Sequence, residues 1–352
     1  MRKLASVRKI ADILPIENAD AIEVAVVDGW SVVTKKGEYQ PGDLAVYFEI
    51  DSFVPEHLAP FLTKGNAKAK EYEGIIGNRL RTVKLRGQVS QGLLLGLRDP
   101  NVYKALLGLN DVYEGLDVTE QLGIVKYEPP IPACLAGEVE GMFPGFISKT
   151  DQERVQNIID RKDLLVGTWE LTLKLDGSSM TMFTREGEVG VCSRNLWLKD
   201  NAANDGNTLV QFARGIDYTR TLPDVADLVG FDFALQGEIM GPGVQKNREK
   251  FSIHRFFVFD IYNITDSRYL SAGERKEVLR ILLLHTDNVE HVPIIENWFQ
   301  VTEDMVDIDQ FLAIAERPSI NHKIAEGVVF KNVIDGDKSF KVISNSFLLQ
   351  EQ

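Results

Sequence analysis

The sequence predicts an α+β protein in which a small all-β domain of the OB type precedes a larger mixed domain. Short alternating strands punctuated by Gly, Pro and Asp fill residues 9–125, and strands alternate with amphipathic helices after residue 151. Residues 126–150 are rich in proline and glycine, which withhold backbone donors and weaken regular structure. We therefore expect domains at 1–125 and 151–352, joined by a linker at 126–150.

Composition places the chain among ordinary soluble proteins, with 44% hydrophobic and 26% charged residues. The apolar run at 281–284 is far too short to cross a membrane, and the first residues lack the features of a signal peptide. We expect a cytoplasmic protein, in the host interior if it is viral, with no membrane partner and no evident obligate protein partner. Cys134 and Cys192 are too few for a disulfide framework or a zinc site, so both are predicted to be reduced packing residues.

A net charge of -13 argues at first against a nucleic-acid partner. Residues 1–125, however, carry 15 basic against 17 acidic side chains, and seven of the basic ones are clustered. The cluster consists of Lys64, Lys68, Lys70, Arg79, Arg81, Lys84 and Arg86. Only Glu71 and Glu73 oppose it, so it is either a phosphate-contacting patch or a solvated face, and the sequence leaves both open.

Within the first domain, strands are predicted in 21–36, 44–54 and 79–97, where Val, Ile, Phe and Tyr alternate with polar residues. Five or so strands in about a hundred residues fit a compact OB-like barrel, a fold that commonly binds single strands or nucleic-acid backbones. This is a statement about fold, and fold alone does not establish function.

The second domain is predicted to begin with a short helix at 151–159 and to contain strands at 187–194 and 233–240. A helix at 271–285 opens with the capping-box pattern Ser271-x-x-Glu274, and another follows at 307–316.

The stretch 169–183, WELTLKLDGSSMTMF, carries the first chemical signal. Leucines alternate with Thr172, Lys174 and Asp176, so Lys174 and Asp176 are expected to share the polar face of a strand. Gly177 then ends the strand in a hairpin or a tight connection. A lysine beside a carboxylate can act as a covalent nucleophile, for which we expect a pKa depressed by burial or by a cation that the carboxylate holds. Alone, the string is weak, because a strand ending in a charged surface turn is its commoner meaning.

Later stretches add polar residues at strand ends. They are Cys192–Asn195, Leu235–Asn247, Phe256–Asp260, Glu326–Lys331 and Lys338–Ile343. Each by itself has an ordinary structural interpretation as a capped strand, a turn, a core aromatic or a surface lysine.

Together these motifs, in this order, resemble those of the covalent nucleotidyltransferases, the superfamily of ligases and mRNA capping enzymes. More narrowly, the chain resembles the ATP-dependent, nick-sealing RNA ligases. The GPGVQKN string at 241–247 is the most discriminating piece, and KLDGSS at 174–179 with SFKVIS at 339–344 points to the branch with an N-terminal OB-like domain. The phrases GDLAVYFEIDSFVP and KLRGQVSQGL agree with that branch. The resemblance implies an ATP-grasp-like ligase domain at 151–352.

The resemblance also implies roles for individual residues. Lys174 would attack the α-phosphorus of ATP, Arg194 would contact the sugar or phosphate side, and Phe259 would stack on adenine. Lys331 and Lys341 would meet the phosphates. A magnesium ion, which manganese could replace, would be held through waters by Asp176, Glu238 and Glu326, with binding of the ribose as the alternative role of Glu238. The nucleic-acid contacts are expected from Arg79, Arg81, Lys84, Arg86 and Lys246.

The implied activity is ligation of RNA 3′-hydroxyl and 5′-phosphate ends through lysyl-AMP and an AMP-capped 5′ end. The expected partner is a nicked duplex RNA or RNA/DNA hybrid with RNA on the 3′-hydroxyl side. The alternatives are a guanylyltransferase or DNA ligase, and a catalytically weak end-binding protein on a ligase fold. Two positions depart from the pattern of relatives: Ile343 replaces a second lysine, and Leu173 stands where some have an acid.

Overall fold

The computed structural model describes residues 3–63, 68–109, 111–128 and 136–350. Lys64 and Cys134, which the sequence singles out, lie outside these residues. The chain forms two compact units. The first comprises Met1–Pro129, Gln156–Asp160 and Leu348–Gln352, and the second comprises Pro130–Val155 and Arg161–Phe347.

Short strands make up most of the first unit. They are β1 (Ala5–Lys9), β2 (Asp12–Pro15), β3 (Ile22–Val27), β4 (Trp30–Lys35), β5 (Leu44–Phe48), β6 (Ser52–Pro55), β7 (Lys70–Tyr72), β8 (Ile75–Arg79), β9 (Val83–Leu85), β10 (Gln88–Ser90), β11 (Leu93–Gly96) and β12 (Val125–Lys126). They pair in the orders β1-β5-β11, β2-β3-β4, β12-β6-β8-β7 and β9-β10. Helix α1 (Pro100–Leu106), which has proline at its start and Asp99 as its N-cap, was not predicted from the sequence.

Strand β5 lies at the centre of this unit. Val46 and Phe48 pack into one hydrophobic cluster, while Ala45 and Tyr47 pack into another, so both faces of the strand are covered. This explains the unbroken apolar run of β5, since a strand that is buried on both faces does not alternate with polar residues. The all-β prediction therefore holds for the strands, with α1 as the addition.

The strands after residue 136 are β13 (Val139–Met142), β14 (Glu153–Arg154), β15 (Gly167–Lys174), β16 (Ser178–Arg185), β17 (Glu188–Ser193), β18 (Leu196–Leu198), β19 (Phe233–Met240), β20 (Arg255–Asn263), β21 (Arg268–Tyr269), β22 (Val289–His291), β23 (Ile294–Val301), β24 (Gly327–Asn332) and β25 (Ser339–Ile343). The helices are α2 (Val155–Ile158), α3 (Lys162–Leu165), α4 (Thr208–Gly215), α5 (Tyr218–Val229), α6 (Ala272–Leu282), α7 (Ile308–Ala315) and α8 (Asn345–Gln350). None of the described helices is long and apolar enough to cross a membrane.

Two sheets organise the second unit. The larger has the order β13-β18-β17-β16-β19-β20-β21 with β22 parallel to β20, and the smaller has the order β14-β25-β24-β15-β23. Leu209 of α4, Leu222 of α5 and Leu279 of α6 share one hydrophobic cluster with residues of the larger sheet. On the smaller sheet, Phe311 of α7 packs against the stacked rings of Phe330 and Phe340, whose centroids are 4.6 Å apart. Each sheet is thus sealed on one face by helices.

Two predictions near the start of this unit are corrected. Strand β13 lies inside the predicted linker and pairs with β18, with Val139 opposite Leu198. Pro144 lies beyond the end of this edge strand, so proline does not interrupt its hydrogen bonds. The helix predicted at 151–159 shrinks to α2, because Glu153 and Arg154 instead pair in parallel with Phe340 and Lys341 of β25. Sheet pairing here overrides local helix propensity.

The two amphipathic helices are confirmed. Helix α6 begins after Ser271, and both bonds of the capping box with Glu274 are formed. Helix α7 begins after Asp307, whose side chain accepts a hydrogen bond from the backbone N–H of Gln310. Cys192 is fully buried, and burial raises the pKa of its thiol, in keeping with a packing residue.

Candidate active site

Lys174 is the last residue of β15. Thr172 and Glu170 lie on one face of the strand and Leu171 and Leu173 on the other, as the alternation predicts, but all four side chains are buried, so the strand is covered on both faces. Gly327 of β24 lies directly opposite Lys174, which places the preceding Glu326 within reach. The Lys174 Nζ is 2.8 Å from Glu326 Oε2. The nucleophile candidate is therefore held in an ion pair at the end of its strand.

The turn after Lys174 is a tight connection between the two sheets, so the hairpin alternative is wrong. Strand β15 pairs with β23 and β24, whereas β16 pairs with β17 and β19. Gly177 is required by close packing, since a Cβ at this position would lie 2.6 Å from the carbonyl oxygen of Ile239. This explains why glycine follows Asp176 in the motif.

Three carboxylates surround the Lys174 ammonium, and they come from three separate segments. Asp176 lies in the connection, Glu326 precedes β24, and Glu238 lies on β19 opposite Ser179 of β16. Burial by itself lowers the pKa of Lys174, but Glu326, Glu238 and Asp176 outweigh it, so the pKa lies above the ordinary lysine value. The depressed pKa that the sequence suggested is therefore wrong for the protein without bound ions, because the acids hold the amine in its charged form.

Glu238 has a strongly raised pKa. Burial raises the pKa of Glu238 to about 8, and the nearby charges of Glu326 and Asp176 add to the effect against the opposing effects of Lys174 and Arg194. Its Oε2 atom is buried without a hydrogen-bond partner in the structure. An unsatisfied buried carboxylate oxygen is costly unless a cation or a ligand completes its contacts.

This arrangement fits a divalent cation that is held through waters. Hard oxygen ligands suit magnesium and manganese, and Glu238 has an oxygen to offer. Among the residues that the structure describes, no three Asp, Glu, His or Cys side chains are grouped closely enough to bind an ion directly. Retained waters would bridge that gap, as magnesium commonly requires.

A second charged group comprises Arg194, Lys341 and Asp151. The Lys341 Nζ is 3.5 Å from Asp151 Oδ1, and Arg194 Nη2 is 4.0 Å from the same oxygen. Two cations thus converge on one anionic oxygen, which is the arrangement that a phosphate would use. Ile343 is buried opposite Gly327, the residue that lies between it and Lys174 in the sheet. Ile343 therefore places no charge here, and the nearby Lys338, directly before β25, forms an ion pair with Asp335.

Phe259 lies in an irregular part of β20. The register between β19 and β20 shifts there, with Gly237 opposite Val258 and Gln236 opposite Asp260. Such a bulge redirects side chains, and Phe259 packs beside the cluster that includes Leu173 and Leu175 of the nucleophile segment.

Lys331 is buried in strand β24. It lies opposite Glu170, deeper in the sheet than Gly327, and its side chain is 2% exposed. Its ammonium contacts the carboxylate of Asp260 and donates to the carbonyl oxygen of Phe259. Burial lowers the pKa of Lys331 to about 8 against the opposing effect of Asp260. Lys331 therefore supports the backbone of Phe259, and its predicted contact with phosphates stays a prediction.

Lys331 belongs to a buried charge network that sequence reasoning missed. Arg275 of α6, 1% exposed, contacts the fully buried carboxylate of Glu170 and lies 4.0 Å from Asp260. Its Nε donates to His291 Nε2 at 3.0 Å, while the other ring nitrogen faces the Val292 carbonyl oxygen. This arrangement requires a neutral imidazole. Removal from water lowers the pKa of His291 to about 4, and the charge of Arg275 adds to the effect.

We expect this histidine to make the fold sensitive to acid. The pKa of His291 is about 4 in the folded chain, against an ordinary value of 6.5 for histidine. The stabilisation is therefore complete above pH 6.5 and is lost as the pH falls through about 4, a decrease of about 3 kcal/mol in the free energy of unfolding. Urea unfolding across this range, with His291→Gln as the non-titrating control, measures it. Identical pH dependence in both proteins would contradict the assignment.

The predicted nucleic-acid residues lie on both units. In the first unit, Lys84 lies on β9 and Arg86 in the turn to β10, and both are exposed. Arg81 precedes β9 and is also exposed, whereas Arg79 forms an ion pair with Asp51. In the second unit, Lys246 is exposed in the loop after β19.

Arg248 is a further residue at this site that the sequence did not identify. Its Nη1 is 3.9 Å from Asp176 Oδ2, and its side chain is only 13% exposed. The one sequence signal was its place directly after the GPGVQKN string.

Comparison with known proteins agrees with this geometry. Residues 167–343 match the model of a family described as RNA ligase, and residues 4–97 match one described as an OB-fold domain. No match is found among curated protein sequences.

Solved structures of Naegleria gruberi RNA ligase are similar over the whole chain. A single-residue variant with AMP and Mn is 43% identical, covers 99% of both chains and has a TM-score of 0.87. A variant with ATP and Mn has the same identity, coverage and TM-score. The ligase with PPi is 44% identical, with 99% coverage of both chains and a TM-score of 0.87. The order of the motifs, the carboxylates around Lys174 and these matches together lead to one conclusion: the chain belongs to the RNA ligase family.

Proposed function

We propose that this enzyme is an ATP-dependent RNA ligase that joins 3′-hydroxyl and 5′-phosphate ends through a lysyl-AMP intermediate at Lys174. The observation that carries the proposal is the Lys174 ammonium, held 2.8 Å from Glu326 with Asp176 and Glu238 close enough to raise its pKa. Few surface lysines face three acids from separate segments, and strongly perturbed groups mark functional sites.

The proposed cofactors are ATP and a divalent ion, magnesium or manganese, in line with the ATP, AMP, PPi and Mn in the solved relatives. Asp176, Glu238 and Glu326 would hold the ion through waters. When bound, the ion supplies positive charge that lowers the pKa of the nearby amine and neutralises phosphate charge.

The chain's own residues would supply positioning and charge. Lys174, once neutral, provides the nucleophile at the end of a rigid strand, and the bond it forms to the α-phosphorus displaces pyrophosphate. Lys341 and Arg194 converge on one anionic oxygen in the structure, which supports a role in contacting phosphates. Phe259 is supported by Lys331 and is only partly buried, which suits stacking on adenine.

In the remaining steps, AMP would pass to the 5′-phosphate, and a 3′-hydroxyl would then attack that phosphate and release AMP. The proposed substrate is a nicked duplex of RNA or an RNA/DNA hybrid, with RNA on the 3′-hydroxyl side. Support for a nucleic-acid surface comes from exposed Arg81, Lys84 and Arg86 on the first unit and from Lys246 on the second. Basic side chains contribute affinity without reading sequence.

Reversing one charge on the β9–β10 hairpin tests this surface. We expect Lys84→Glu to weaken binding of a nicked duplex about tenfold and to reduce the salt slope by about one, because one phosphate contact is lost. The matched control is Lys36→Glu, an exposed lysine of the same unit outside the basic cluster. If both variants show the same duplex affinity and the same salt slope, the hairpin is a solvated surface that does not contact the duplex.

The function itself is tested by incubating the protein with a divalent ion and α-labelled ATP or GTP, followed by a denaturing gel and a chase with a 5′-phosphate nicked duplex. We expect label from ATP alone, which chases into sealed RNA. Label from GTP would indicate a guanylyltransferase, and sealing of all-DNA nicks would indicate a DNA ligase. An unlabelled protein that binds nicks would be an end-binding protein on a ligase fold.

A further inference from the structure

We propose that Arg248 is a positioning residue that holds together the three segments carrying the carboxylates around Lys174. This inference rests on the proposed function, because it assigns Arg248 a part in forming lysyl-AMP. Glu238 lies on β19, Asp176 in the β15–β16 connection, and Glu326 directly before β24. Sheet hydrogen bonds hold the strands themselves, with Lys174 opposite Gly327 and Ser179 opposite Glu238, whereas Asp176 and Glu326 lie outside the strands.

Arg248 links these segments through its guanidinium. It lies on the segment that follows Glu238, ten residues further along the chain. Nη1 is 3.9 Å from Asp176 Oδ2, and Nη2 donates to His322 Nδ1 at 3.2 Å. His322 in turn lies four residues before Glu326. One side chain thus joins the segments of all three acids.

The guanidinium is held from a third direction by an aromatic ring. Its carbon lies 4.7 Å from the centroid of Phe347, which is buried. A planar guanidinium stacks on a ring while its N–H groups point outward in fixed directions, which a lysine cannot reproduce. The side chain is 13% exposed, so rotation into solvent would forfeit the stack and both polar contacts.

The neighbouring residue reinforces the same connection. Glu249 is buried, its carboxylate accepts from the backbone N–H of Asn321, and its carbonyl oxygen accepts from the Asn321 side chain. Asn321 directly precedes His322, so Arg248 and Glu249 attach the loop after β19 to the loop before β24 at adjacent points. The loop itself is closed by Asn247, whose side chain bonds both the N–H and the carbonyl of Phe251.

Arg248 would therefore act through Asp176 and through the segment that runs from His322 to Glu326, without contact to substrate. The positive charge of Arg248 would by itself weaken the binding of a divalent ion near the acids. By keeping the acids in position, however, Arg248 would strengthen that binding. The two effects have opposite signs, which allows an experiment to separate them.

The experiment compares Arg248→Gln and Arg248→Lys with Arg255→Gln. Arg255 is a matched control on β20, because it also pairs with an acid, Glu290, and stacks over Phe251 and Phe257. We expect Arg248→Gln to lower the maximal rate of lysyl-AMP formation at least tenfold with the KM for ATP within twofold. Arg248→Lys should recover part of the rate, and Arg255→Gln should keep the wild-type rate.

A second measurement does not depend on turnover. Mn²⁺ binding to the Lys174→Met protein with ATP is followed by electron paramagnetic resonance, with and without Arg248→Gln. We expect the substitution to weaken Mn²⁺ binding several-fold at an unchanged melting temperature. Tighter Mn²⁺ binding would overturn the proposal, because Arg248 would then be only an opposing charge.

His322→Ala supplies a test if Arg248 variants fail to fold, since it removes one contact and leaves the arginine in place. We expect His322→Ala to lower the rate of lysyl-AMP formation less than Arg248→Gln does, and to weaken Mn²⁺ binding. A wild-type rate together with wild-type Mn²⁺ affinity would overturn the proposal. Wild-type protein that forms no lysyl-AMP would refute the proposed function and this inference with it. If the wild type and Arg248→Gln both form lysyl-AMP at the same rate, only the inference about Arg248 is refuted.

Discussion

The Lys174→Arg variant is expected to form no lysyl-AMP, with a rate below about one ten-thousandth of wild type. Arginine keeps a positive charge for Glu326, which lies 2.8 Å from the lysine ammonium in the structure. A guanidinium cannot lose its proton in a protein, however, so it offers no lone pair to the α-phosphorus of ATP. The variant therefore separates the structural role of the charge from its chemical role.

The measurement is transfer of label from α-labelled ATP to protein on a denaturing gel, with melting temperature as the check on folding. Lys323→Arg is the control, because Lys323 is exposed three residues before Glu326 and contacts none of the proposed reacting groups. Retention of covalent label in Lys174→Arg would mean that another side chain is the nucleophile.

The rate of lysyl-AMP formation is expected to rise about tenfold per pH unit between about pH 6 and pH 8. Burial lowers the pKa of Lys174, but Glu326, Glu238 and Asp176 raise it further, so the amine is charged throughout this range. Only the neutral amine attacks, and its fraction grows with pH up to the pKa.

Single-turnover labelling at saturating ATP, repeated at low and high Mn²⁺, measures this profile. More bound Mn²⁺ should shift the rise to lower pH, because an added cation lowers the pKa of a neighbouring ammonium. A rate that is independent of pH would contradict a charged resting amine. A profile that Mn²⁺ does not move would contradict the proposal that the three carboxylates hold the ion.

Local sequence predicted the elements with strong periodicity or capping. The alternation at 169–175 appears in β15, and the Ser271–Glu274 capping box opens α6 as expected. Weaker signals failed where pairing partners are distant in the chain. Residues 153–154 pair with β25, and β13 forms within a proline-rich stretch. In both places sheet hydrogen bonds outweigh the local conformational preferences of a few residues.

For the site, the motifs named Lys174, Asp176, Glu238 and Glu326, and the structure brings these four together. The burial of Lys331 was not predicted because a strand pattern gives the face of a residue but not its depth in the sheet. Arg248 and the Arg275–His291 network were missed because each depends on partners more than fifteen residues away, which no local spacing reveals.

The sequence by itself determined the order of the motifs, the strand that carries the nucleophile and the family. Only the tertiary structure decided the charge state of Lys174, because that depends on how close three acids from separate segments approach one amine. Coulombic and desolvation energies vary steeply with distance and burial, and both quantities arise only when the sheets pack.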